Sequence, residues 1–197
     1  MEIGIVGAGT VGSVLAKTFA RGDNQVMLSR HSGAASLAPR RSEFANNVTF
    51  VEVETALQQP LVVIAVPFGQ APAVLQQVAN YQQRIVVDVT NQFTADFKKI
   101  KTAPLTGSEV LAQAANNARV IKAFNTIPPD FMDGHVDGPG RRVLFYAGDD
   151  AAAKKEFAAL VKPLNFRPVN LGKLRHGGSV MQVGGGLGNT HFVQIDE

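Results

Sequence analysis

The chain has 197 residues, 45% of them hydrophobic, and a formal net charge of +3. That suits one domain with a sizeable core, or one domain with a small extension, and so small a charge gives no argument for a nucleic-acid partner. There are no cysteines, which excludes disulfides, thiolate metal sites and a cysteine nucleophile. The longest apolar run, Leu61 to Phe68, is interrupted by Pro67 and falls far short of a membrane span. Residue 1 begins a strand, leaving no room for a signal peptide, so a cytoplasmic location is expected.

Glu2 to Val6 reads as a strand, Gly7-Ala8-Gly9-Thr10-Val11-Gly12 as a tight turn, and Val11 to Arg21 as a helix with Val11, Val14, Leu15 and Phe19 at helical spacing. In such a turn each glycine has its own task. Gly7 permits the turn, Gly9 lets a pyrophosphate approach the backbone, and Gly12 lets the helix pack closely on the strand. The free N–H groups of the helix N-terminus then face the phosphates. A second strand, Gln25 to Leu28, completes the unit. A carboxylate for a ribose diol is expected at its end, about 20 residues beyond the glycines. The chain instead reads Ser29-Arg30-His31-Ser32. A guanidinium with a neighbouring hydroxyl and imidazole binds a 2′-phosphate that a carboxylate would repel, so the expected cofactor is NADP(H). A solvated surface role for Arg30 is the alternative.

Ser36 to Ala45 gives a weak helix broken at Pro39, whose Arg40-Arg41 pair reads as exposed. Val48 to Val53 suits a third strand and Glu54 to Gln59 a helical turn. Leu61 to Val66 has no polar face, as a central parallel strand covered on both sides requires. A helix over Ala71 to Tyr81 and a fifth strand over Arg84 to Val89 follow, then a helix over Gly107 to Asn117 and a strand over Val120 to Phe124. Arg142 to Tyr146, Ala151 to Val161 and Arg167 to Leu171 read as strand, helix and last strand. The alternation predicts an α/β fold of Rossmann type, doubly wound, with a mostly parallel sheet and helices on both faces. Ligands in such sheets lie beyond the carboxyl ends of the strands, beside the first strand. Residues 1–173 form the NADP-binding domain in this reading, and 174–197 a glycine-rich C-terminal extension in which Ser179 to Val183 has room for a turn or two of helix.

Together the glycine turn, the Ser29-Arg30 strand end, Ala65-Val66-Pro67-Phe68, Asp88-Val89-Thr90-Asn91, Ile121-Lys122-Ala123-Phe124-Asn125-Thr126-Ile127 and Ala147-Gly148-Asp149-Asp150 resemble the NADP-dependent coenzyme F420 oxidoreductases. The cytoplasmic domain of the STEAP metalloreductases is similar to the same group. The resemblance runs to Lys173 and implies hydride transfer between NADPH and a small redox acceptor, a deazaflavin such as F420 or a flavin. Carried over by position, Thr10, Val11, Ser29 and Arg30 would hold the adenosine and phosphates, Val66, Pro67 and Phe68 the middle of the cofactor, and Thr90, Asn91, Ala123 and Asn125 its nicotinamide end. Phe68, Asn125 and Thr126 would meet the acceptor. Two departures limit the resemblance: Asn125 stands where archaeal F420 enzymes have a histidine, and the glycine-rich tail replaces a firmer helical stretch. Pro67 reads equally well as a strand stop.

Tyr81 is followed four residues later by Ile85 and Tyr146 by Asp150, so the Tyr-x-x-x-Lys chemistry of short-chain dehydrogenases is unavailable. His31, His135, His176 and His191 show no metal-ligand spacing. Asp149 and Asp150 read as helix caps rather than a catalytic pair. No acid occurs between Phe157 and Ile195, where Lys162, Arg167, Lys173 and Arg175 lie, so a rim built from that stretch would favour an anionic acceptor. The expected partner is that small molecule, with neither nucleic acid nor membrane, and a homodimer stays open. A non-catalytic NADP(H) sensor is the second reading of function. Pyrroline-carboxylate or hydroxyacid reduction is weaker, because those enzymes usually add a helical domain after the sheet.

Overall fold

The computed structural model describes residues 1–94, 96–188 and 190–195. Five strands, β1 (Glu2–Val6), β2 (Gln25–Ser29), β3 (Val48–Phe50), β4 (Leu61–Ile64) and β5 (Ile85–Asp88), lie parallel in the order β3-β2-β1-β4-β5. The strand order therefore reverses beside β1, which is where a doubly wound sheet opens a crevice. β6 (Arg119–Ala123) continues parallel to β5, whereas β7 (Arg141–Gly148) runs antiparallel to β6 and β8 (Phe166–Asn170) parallel to β7. β4 and β5 are buried along their whole length, and successive side chains feed opposite faces. Val63 and Val87 join Ile5, Leu15, Phe19 and Phe124 on one side, while Val62 and Val86 join Leu57, Leu75, Tyr81 and Leu111 on the other.

The helices start where local chemistry starts them. α1 (Thr10–Ala20) starts from Gly9. α4 (Gly107–Ala114) is closed by a reciprocal box in which Thr106 accepts from the Glu109 N–H and Glu109 from the Thr106 N–H. α5 (Ala151–Val161) is capped by Asp150, which accepts from the Ala153 N–H at 2.7 Å. Asp149 does something else: it accepts from the Leu174 N–H and ties down the start of the tail.

Several expected boundaries shift. α3 covers only Ala71–Leu75, because Tyr81 is buried with its hydroxyl donating to the Leu75 carbonyl, and Gln82 and Gln83 turn back with positive φ. β3 ends at Phe50 so that the Glu52 carboxylate can accept from the Ala34 N–H while α2 (Val53–Leu57) begins. The helix after β2 is a 3-10 helix, Ala34–Glu43, which takes Pro39 inside it. Its arginines are not simply exposed: Arg41 donates to the Val48, Phe44 and Ala45 carbonyls, and Arg40 is bonded to the glycine turn. β8 is not the last strand either. β9 (Val193–Gln194) pairs antiparallel with the first two residues of β7, along the edge that β6 takes up further on at Tyr146–Gly148. Between them Leu174–Gly178 forms a π-helical turn and Ser179–Met181 one turn of α-helix, with Leu174, Gly177, Gly178 and Met181 buried.

Inside this sheet sits a buried ion pair. Lys122 on β6 lies 3.1 Å from Asp88 on β5, and both side chains are fully enclosed. Asp88 also accepts from the Ser108 and Thr90 hydroxyls and the Thr90 N–H, while Lys122 donates to the Thr90 carbonyl. Burial pushes the Lys122 ammonium below its usual range, and the Asp88 carboxylate offsets only part of that. Removing one partner from such a pair leaves the other charge uncompensated. Lys122→Met should therefore cost about 3–5 kcal/mol in urea unfolding, and adding Asp88→Asn should recover much of it. A single variant as stable as the parent would show that the pair does not hold β5 to β6.

Candidate functional site

Three glycines set the turn after β1. Gly7 has φ +110°, and a Cβ there would come within 2.3 Å of the Ala65 carbonyl. A Cβ at Gly12 would stand 1.7 Å from the Gly7 carbonyl, so α1 can pack on the turn only because that atom is missing. Gly9 differs from both. Its φ is −74°, and a Cβ built on it meets nothing within 4 Å. Open space in front of an unblocked helix start is the shape a pyrophosphate requires, and the first N–H groups of α1 have no intrahelical partner.

Two clefts meet at this turn. The larger, about 770 Å³, is lined by Gly9, Thr10 and Val11, by Val66, Pro67 and Phe68 after β4, and by Thr90 and Asn91 after β5. The second, about 620 Å³, runs past Gly7 and His31 to Glu52, Glu54 and Val74. Val66 and Gln70 line both, so together they form a groove across the carboxyl edge of the sheet at the switch point. Residues from five segments far apart in sequence thus share one concave surface.

The structure does not bring every expected residue to that surface. The Ser29 hydroxyl is fully buried and donates to the Ile5 carbonyl at 3.0 Å; of the residues beyond it, exposed His31 lines the smaller cleft, whereas half-buried Arg30 lines neither. Ala8 is buried beneath the turn. Ala123, Asn125 and Thr126 are buried and line neither cleft, and Asn125 is bonded to the tail. Phe124, between them, has φ +64° although it is bulky, fully buried, and edge-on to Phe19, Phe157 and Phe166. A left-handed residue of that kind is strained by about 1–3 kcal/mol. The Asn125 amide donates to Asn91 Oδ1 at 3.2 Å and to the Met181 carbonyl at 2.8 Å, and Asn91 donates back to the Asn125 carbonyl.

Other wall residues gave no signal in the sequence. Phe93, Thr94, Phe97 and Ile100 close the outer side of the large cleft. They belong to a small finger in which Phe93 and Lys99 form an antiparallel bridge and the Thr94 N–H donates to the Lys98 carbonyl. Phe97 is 81% exposed with φ +59°. Behind Ile100 lies a further pocket of about 370 Å³ with Lys99, Lys101 and Arg175 on its wall. Of the cations in the acid-free stretch after Phe157, Arg175 alone lines this pocket, and it also faces Glu109 at 3.7 Å. Among the described residues no helix is long and apolar enough to cross a membrane.

The strand order, the glycine turn and the groove define a Rossmann-type dinucleotide-binding protein. Residues 2–92 match the family described as NADP oxidoreductase, coenzyme F420-dependent. Protein SMa0349 of Sinorhizobium meliloti is 32% identical, with a TM-score of 0.90, over 98% of this chain and 95% of that one. A candidate F420-dependent NADP-reductase from Arthrobacter sp. FB24 is 26% identical with a TM-score of 0.74, over 88% of this chain and 86% of that one. A reductive aminase from Aspergillus terreus, solved with NADPH and ethyl levulinate, is 16% identical over 89% of this chain and 56% of that one, and its TM-score of 0.65 attests the fold alone. Over residues 2–92 the chain belongs to the coenzyme F420-dependent NADP oxidoreductase family.

The Asn125 clasp generates a test of the tail. Asn125→Ala removes both donated hydrogen bonds, about 1–3 kcal/mol in total. Limited proteolysis should then cut faster within residues 179–188. An unchanged rate there would show that the tail is held by other contacts.

Proposed function

We propose that the protein is an NADPH-dependent oxidoreductase whose groove takes the adenosine half of the cofactor in the smaller cleft and its redox half in the larger. The observation that carries this reading is that the two clefts meet at Val66 and Gln70, and that Gly9, where a Cβ would meet nothing within 4 Å, lines the larger of them. NADPH supplies the hydride. The chain binds and shields: α1 offers its N–H groups, His31 on the wall of the smaller cleft and the adjacent Arg30 are assigned to the 2′-phosphate, and Val66, Pro67 and Phe68 form an apolar wall that keeps water from the hydride path. Neither acid nor base lines the larger cleft among the described residues. Hydride transfer to a flavin-like ring needs little of either.

Arg30→Ala is expected to weaken NADPH binding by roughly 1.5–3 kcal/mol, the worth of hydrogen bonds to a charged group, while leaving NADH nearly untouched. Calorimetric titration of both cofactors checks it. Equal losses would place the 2′-phosphate elsewhere.

The acceptor in this reading is a deazaflavin, a flavin or a similar planar molecule, entering between Phe68 and Asn91 under the Phe97 finger. The pocket of Lys99, Lys101 and Arg175 behind Ile100 supports an anionic arm on it. NADPH oxidation with F420 or FMN should exceed that with riboflavin, and the advantage should shrink as salt rises. A panel of F420, FMN, FAD, riboflavin, ferric chelates and quinones at two ionic strengths decides it. Riboflavin matching FMN at both strengths rejects the charge argument, and no turnover with any acceptor favours a non-catalytic NADP(H) sensor.

A further inference from the structure

Arg40 lies more than two turns of chain beyond the Arg30–Gly33 loop, on the 3-10 segment, yet its guanidinium reaches back beneath the glycine turn. Nη1 donates to the Ala8 carbonyl at 2.8 Å and Nη2 to the Ser13 hydroxyl at 3.1 Å. The same carbonyl also accepts from the Ser13 hydroxyl at 3.1 Å. Glu43 holds the other side of the fork, taking Nε and Nη2 at 2.8 Å each, and the Phe44 ring lies 5.5 Å from the guanidinium carbon. Four hydrogen bonds and a ring contact fix one arginine in one place.

A trans peptide is planar, with its C=O and N–H pointing in opposite directions. Holding the Ala8 carbonyl down from two sides therefore turns the Gly9 N–H to the opposite side of that peptide, away from Arg40; a Cβ on Gly9 would itself meet nothing within 4 Å. We propose that Arg40, braced by Glu43, is the positioning residue for the phosphate turn: it fixes the Ala8–Gly9 peptide so that the turn's N–H groups converge on the pyrophosphate, and it ties that turn to the segment that follows the 2′-phosphate loop. The inference rests on the cofactor placement proposed above. Its chemistry requires a planar fork that spans a carbonyl, a hydroxyl and a carboxylate at once, which lysine, a point charge, cannot reproduce.

Adenosine 2′-phosphate separates this role from others, because it carries the 2′-phosphate and lacks the pyrophosphate. In calorimetric titrations, Arg40→Met should weaken NADPH roughly ten- to a hundredfold, since bonds from a charged donor are lost, and leave adenosine 2′-phosphate unchanged. Arg40→Lys should fall between Arg40→Met and the parent. Unaltered NADPH affinity in Arg40→Met, or an equal loss for adenosine 2′-phosphate, overturns the proposal. Glu43→Gln, which keeps the arginine and weakens its brace, gives the same ordering on a smaller scale and serves if Arg40→Met does not fold. Gly9→Val separates the two readings: normal NADPH binding by that folded variant sinks the cofactor placement itself, whereas loss of binding there with none in Arg40→Met sinks the positioning role alone.

Discussion

A lysine ammonium buried between β5 and β6 constrains everything at the carboxyl edge of the sheet. Lys122 cannot sit there without Asp88, and Asp88 accepts four hydrogen bonds that Lys122, Ser108 and Thr90 supply. Because Thr90 is bonded through its N–H, hydroxyl and carbonyl at once, the chain after β5 leaves the sheet in one direction. Asn91 is thereby set opposite Asn125, and Asn125 in turn carries the Met181 carbonyl of the tail. The wall of the large cleft is thus continuous, through side-chain hydrogen bonds, with a charge pair in the core. In a low-dielectric interior a buried charge is held firmly only when it is hydrogen-bonded, and both oxygens of Asp88 are.

On the other side of the groove the constraint is steric rather than electrostatic. The turn after β1 approaches the chain after β4 so closely that Gly7 tolerates no side chain, α1 lies so close on that turn that Gly12 tolerates none, and a Cβ on Gly4 would stand 1.9 Å from the Ala56 carbonyl. Close approach on this side and a rigid strand exit on the other leave a gap between them at the reversal of strand order. The groove is the space that these two packing solutions cannot close.

Much of this could be read from the residues. Glycine spacing, apolar runs without a polar face and a capping aspartate are local signals, and they placed the turn after β1, the central strands, α5 and the switch point. What escaped was set by contacts distant in sequence. Arg40 looks like a surface cation until Ala8 and Ser13 are beneath it, and the Phe93–Ile100 finger has no periodicity for a pattern to reveal. Ser29 and Asn125 were legible as strand ends, but a strand end fixes where a residue stands and not where its side chain points. Ser29 turns to the Ile5 carbonyl and Asn125 to Met181. β9, two residues long, carries too little pattern to be seen at all.

The unsatisfied groups beyond β6 follow from the same geometry. Phe124 takes a left-handed conformation to remain in the aromatic cluster, and the chain beyond it enters the protein rather than the cleft, burying Asn125 Oδ1 and the Thr126 hydroxyl without hydrogen-bond partners among the described residues. Each such group costs about 1–3 kcal/mol. Strain and unpaired polar atoms at one strand end, next to the one stretch of tail that covers it, are a cost that the surrounding aromatic packing over-determines. Phe19, Phe157 and Phe166 hold the Phe124 ring edge-on from three elements. Relaxing Phe124 would break those contacts together, so the backbone yields instead of the core, and Asn125 remains clasped to the tail.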